Sequence, residues 1–118
     1  MMSDEIVSAL VKRCLPKETA TIGPQAFDAA MGFASRNESL PPELYGGHLS
    51  EILDELNAVF TAGSFFAACV QIYLTYPEDK AAAKQRVEAL TRKEPTFYGE
   101  NDRVCDMIEE ELRNVSQK

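Results

Sequence analysis

A chain of 118 residues, 45% apolar and with six glycines and six prolines to punctuate it, suits one folded domain with its own core and excludes a disordered polymer. A net charge of -7 disfavours nonspecific binding to nucleic acid or anionic lipid. Three scattered cysteines and a single histidine form neither a disulfide framework nor a zinc site.

The N-terminal MMSDEIVSALVKRC has acids where a secretory leader needs bases, so the expected location is the cytoplasm. Cys14, Cys69 and Cys105 then read as small buried hydrophobes in a reducing compartment. Ser3 suits an N-cap, Asp4 and Glu5 suit the positive end of a helix, and Ile6, Val7, Leu10, Val11 and Cys14 form a stripe, so a helix is predicted over 4–14, stopped by Pro16. KETATIG reads as a polar connection. Pro24 opens a second helix carrying Phe27, Ala30, Met31 and Ala34 on one face, with small residues that invite close contact, fraying near Asn37. A loop with a single turn at 42–45 follows, and Gly46-Gly47 allow a change of direction.

The stripe of Leu49, Ile52, Leu53, Leu56, Val59 and Phe60 predicts a helix over 48–61, with Glu51, Asp54, Glu55 and Ala58 opposite. Residues 56–77 contain no charge, and 65–74 are apolar on every side except at Gln71, as in a helix enclosed by others. The Gly63-Ser64 pair reads as a stop followed by an N-cap, which starts a separate central helix at about 64–76. The charge-free run is long enough for a bilayer, but its polar residues, acidic flanks and continuity with the amphipathic stripe argue against a membrane span.

Residues 80–93 hold Lys80, Lys84, Arg86, Arg92 and Lys93 against Glu88 alone. The predicted basic helix over 78–93 has a thin apolar stripe of Ala83, Val87 and Leu90, which places it at the periphery. Without interleaved aromatics it does not read as a nucleic-acid surface. Lys80, Lys84 and Arg86 are the expected contacts either with the chain's own acids or with a second copy in a homodimer. Asn101 caps a last helix over 102–115 with Val104, Met107, Ile108, Leu112 and Val115 inward and Asp106, Glu109 and Glu110 outward. The expected fold is all-α: a single domain over 1–118, a bundle of five main helices with a sixth short one near Pro42, packed around the helix at about 64–76.

No phosphate loop, dinucleotide fingerprint or nucleophile elbow is present. His48 has no identifiable partner for catalysis, and no catalytic residue, metal or cofactor is assigned. The expected function is a non-enzymatic binding protein of the inhibitor, immunity, antitoxin or adaptor type. Its partner would be a protein with a basic surface, met by Glu51, Asp54, Glu55, Asp106, Glu109 and Glu110 together with Phe97 and Tyr98. The alternatives are a structural homo-oligomer joined through the basic helix, and a small-ligand-binding bundle with a pocket near Cys69, Tyr73, Phe97 and Tyr98.

Overall fold

The computed structural model describes residues 2–45 and 47–116, leaving the side chains of residues 2, 44, 45 and 47–49 undescribed. Five α-helices follow in order, α1 (Met2–Cys14), α2 (Pro16–Ser35), α3 (Leu53–Thr75), α4 (Lys80–Thr91) and α5 (Asn101–Ser116), with 3-10 turns at Pro42–Tyr45, Gly47–Ile52 and Pro95–Phe97. There is no strand among the described residues. The fold is an all-α bundle, as the apolar spacing implies.

The separation expected at Gly63-Ser64 is absent. Residues 53–75 form one unbroken helix, which joins the stretch read as 64–76 to most of that read as 48–61, whose first residues lie in the 3-10 turn Gly47–Ile52. Gly63 is buried, and a Cβ built on it would lie 2.9 Å from Met31 Cε and 3.0 Å from Ala34 Cβ. The glycine therefore serves close approach to α2 rather than chain reversal, and packing outweighs its weak helix propensity. Ala30, Ala34 and Ala62, all buried, keep the rest of this contact thin.

α3 is the centre of the bundle, packed against α2, α1 and α4. By length and composition Ser50–Thr75 would suffice to cross a membrane. Here its apolar side, including Leu56, Val59, Phe66, Cys69 and Val70, is buried with α1's Ile6, Val7, Leu10 and Val11 and α5's Val104 and Ile108 in one core. Enclosure by neighbouring helices accounts for the composition.

Other local expectations shift by small amounts. Ser3 lies inside the first turn of α1 instead of capping it. The segment read as a polar connection is helical: Pro16 opens α2, Thr19 and Thr21 donate their hydroxyls to the carbonyls of Leu15 and Lys17, and Ile22 joins the core. The break comes at Gly23, whose φ of 83° and ψ of 168° kink α2 before Pro24. α2 ends in a Schellman arrangement, with Glu38 N–H donating to Phe33 O, Asn37 N–H to Ala34 O and Asn37 itself at φ 57°. α4 starts two residues later than the expected 78, capped by Asp79, whose side chain accepts from Ala82 N at 3.0 Å. Asn101 is already helical, and Glu100 O accepts the first bond of α5, from Val104 N.

Phe97 closes the core between α4 and α5. Its ring stacks on Phe65 with centroids 4.4 Å apart and meets Phe66 edge-on at 5.2 Å, geometries that add to the area buried. At 3% exposure Phe97 is a core residue, which removes it from the surface set. Tyr98, the next residue, is 71% exposed.

Candidate functional site

Although α3 is central, it also reaches the surface along one side. Its exposed positions Asn57, Thr61, Ala68, Gln71 and Thr75, with half-buried Ser64 between Thr61 and Ala68, follow one another at three, four or seven residues and line a single face. At 1.5 Å of rise per residue this stripe is about 27 Å long. It carries no charge, whereas the exposed sides of the other helices do: Asp4 and Lys12 on α1, Lys17 and Asp28 on α2, Lys80 and Arg86 on α4, Asp106 and Glu110 on α5. Shallow grooves run along both flanks of Thr61. One, of about 340 Å³, lies toward Phe60, Ser64, Ala68 and Leu90, with Lys93 and Glu94 at its edge. The other, of about 240 Å³, lies toward Leu15, Asn57, Ala58 and Phe97, with Asp54 at its edge.

The two acidic sets read from the sequence have different fates. Glu51, in the 3-10 turn before α3, and Asp54 are exposed and Glu55 is half-buried in the first turn of α3, and among the described residues none of them has a cation partner. The acids of α5 are largely engaged within the chain. Glu109 turns inward, its Oε2 accepting from the Tyr73 hydroxyl at 2.7 Å and its Oε1 3.9 Å from Lys80 Nζ. Arg13 bridges Glu110 at 3.4 Å and Glu111 at 2.7 Å, and Lys84 meets Asp102 at 2.9 Å. Asp106 is exposed and without an ion pair among the described residues. Since Tyr73 follows Glu55 by 18 residues on one helix, the two sets sit about 27 Å apart and do not converge on one ion. No group of three or more potential ligands gathers among the described residues.

The basic face of α4 is likewise met inside the chain. Besides Lys80 and Lys84, Arg86 stacks over Tyr76 at 4.3 Å and donates to Ala82 O. Such exposed ion pairs orient side chains and contribute little stability each, but they leave few free cations for the contact between copies envisaged for Lys80, Lys84 and Arg86. The side chain of His48 lies outside the described residues.

Cys69, Tyr73, Phe97 and Tyr98, expected to line one pocket, are not brought together around a hollow among the described residues: Cys69 and Phe97 are core residues and Tyr98 faces solvent. Burial pushes the thiols of Cys69, Cys105 and half-buried Cys14 above their ordinary range, so all three are held as neutral thiols rather than nucleophiles. Burial and the Glu109 carboxylate together raise Tyr73. The phenol therefore stays protonated and serves as a donor that holds Glu109 in place.

Sequence reasoning found the acids but not the uncharged stripe as a surface. The signal was present in Asn57, Thr61, Gln71 and Thr75, whose spacing matches a helix face. It was obscured by reading Gly63-Ser64 as a break. Comparison of the chain with protein-family models, with curated proteins and with solved structures finds no match.

Proposed function

We propose that this is a non-enzymatic protein-binding protein of the inhibitor, immunity, antitoxin or adaptor type, which lays the outer face of α3 over a basic site on its partner. The observation that carries this reading is the charge-free exposed stripe from Asn57 to Thr75 on a protein that is 26% charged. Depletion of charge at the centre of a patch is a compositional mark of protein interfaces. Glu51, Asp54 and Glu55, without a cation partner among the described residues, border the stripe at one end and supply the charge that steers a cationic surface and sets its orientation. The mechanism is steric occlusion by the stripe with electrostatic guidance from its acidic end. Three free thiols fit work in a reducing compartment such as the cytoplasm.

The test is site-directed photo-crosslinking from Thr61 in tagged protein expressed in its own cells, with Asp54→Lys/Glu55→Lys as the comparison. The expected outcome is an adduct with one other protein of basic surface, formed less efficiently by the charge-reversed chain and weakened by salt. An adduct only between two copies of this chain moves the reading to a homo-oligomer, and an adduct indifferent to charge reversal overturns the electrostatic part.

A further inference from the structure

A cavity of about 390 Å³ opens where the end of α3, the start of α4 and the last turns of α5 meet, apart from the stripe described above. Its walls are mainly apolar, formed by Leu74, Tyr76, Pro77 and Leu112, and Lys80, Glu109 and Arg113 also line it. Leu74 is 46% exposed, so a large aliphatic side chain in the wall of this space meets water.

The charges around the cavity do not cancel. Glu109 and Glu110 precede Arg113 by four and three residues on α5, the spacings at which a helix ordinarily pairs opposite charges. Both acids are drawn elsewhere: Glu109 by Tyr73 and Lys80, Glu110 by Arg13. Arg113, exposed and lining this largely apolar hollow, is left without an ion pair among the described residues. A guanidinium presents a planar fork of donors that matches a carboxylate, and pockets of this size that pair apolar walls with a few placed polar groups are the usual form of small-molecule sites.

We propose that this cavity binds a small amphipathic carboxylate, its hydrocarbon or aromatic body against Leu74, Pro77 and Leu112 and its head on Arg113, with Lys80 adding positive potential. Glu109 is not a competitor for Arg113, since both of its oxygens face other groups. Tyr73 is the positioning residue that holds Glu109 inward.

Octanoate is the probe, with octanol and octylamine as its neutral and cationic counterparts, titrated into ¹⁵N-labelled full chain and followed by amide chemical shifts. Saturable shifts centred on Leu74, Lys80, Leu112 and Arg113 are expected with octanoate, with octanol weaker and octylamine weakest. Arg113→Gln should weaken octanoate about tenfold, the loss of one charge-assisted contact, and leave octanol unchanged. Leu74→Asp, at a position 46% exposed, should abolish binding of both while the spectrum remains that of a folded chain. Equal binding of all three probes, shifts centred elsewhere, or an Arg113→Gln chain that binds octanoate as before would overturn the proposal.

Discussion

Gly63 and Met31 are in such close contact that a Cβ on the glycine would stand 2.9 Å from Met31 Cε and 3.1 Å from its Sδ, with Ala34 Cβ at 3.0 Å on the same side. The methionine end can move, but Ala34 is fixed to the backbone of α2. Gly63→Ala therefore gains about 1 kcal/mol of helix propensity and loses roughly 1–3 kcal/mol to overpacking. A net loss of about 1 kcal/mol is expected in urea denaturation, and Gly63→Val should lose more. A stabilised Gly63→Ala variant would show that the two helices separate at no cost.

Gly23 tests backbone conformation without side-chain crowding, because nothing lies within 4 Å of a Cβ built there. Its φ of 83° with ψ of 168° lies in a region almost confined to glycine, so Gly23→Ala should destabilise by about 1–3 kcal/mol. Asn37 at φ 57° gives the opposite sign. Asn37→Gly relieves the left-handed strain at the end of α2 and should raise stability by a few tenths to about 1 kcal/mol. Thermal midpoints of the two variants should move in opposite directions.

Tyr73→Phe removes the donor to Glu109 Oε2 at little change in volume. The expected cost is about 1–2 kcal/mol, that of a hydrogen bond to a charged group that is then left partly unmet. It should also free Glu109 to swing toward Arg113, so octanoate affinity should fall in this variant even though Tyr73 makes no contact with the carboxylate head.

Stability should decline in mild alkali. Burial raises the folded-state pKa of Cys14, Cys69 and Cys105 above the unfolded thiol value, and that of Tyr73 above the unfolded phenol value. For acids that lose a proton to become charged, this contribution is fully present below the unfolded pKa and is lost as pH rises toward the folded one. The decline should begin near the unfolded thiol pKa of about 8.5 and steepen near about 10, where tyrosine ionises in the unfolded chain. Chemical denaturation at pH 7, 9 and 10.5 measures it. At pH 8, iodoacetamide should modify half-buried Cys14 first and reach Cys69 and Cys105 only at the rate of unfolding; rapid labelling of Cys69 in the folded chain would contradict its burial.

Charge reversal separates the two acidic sets. Glu51→Lys/Glu55→Lys, at sites without ion pairs among the described residues, should leave the unfolding free energy within about 0.5 kcal/mol of the parent and slow association with a basic partner in a salt-dependent way. Glu109→Lys/Glu110→Lys places cations beside Lys80 and Arg13 and removes the acceptor of Tyr73, so its main effect should be on stability. Equal effects on association from both pairs would mean that α5 also faces the partner.

The helical periodicity of the sequence was enough for the all-α class, for α1, α4 and α5 to within a few residues, and for most of the core, because burial of a stripe at i, i+3 and i+4 is a local property. Of the proposed docking face, Glu51, Asp54 and Glu55 were legible as carboxylates on one side of a helix, though Glu55 is half-buried. What was not legible depended on neighbours distant in the chain. Gly63 carries the same local signal whether it ends a helix or admits another helix closely, and only Met31 and Ala34 across the contact decide between the two. Glu109 and Glu110 share one outer face by spacing, yet Tyr73 and Arg13 draw them to different partners. The sequence by itself determined which residues shun water and where turns are cheap. The tertiary structure decided which charges remain free, because an ion pair depends on side chains that meet only after the helices have packed.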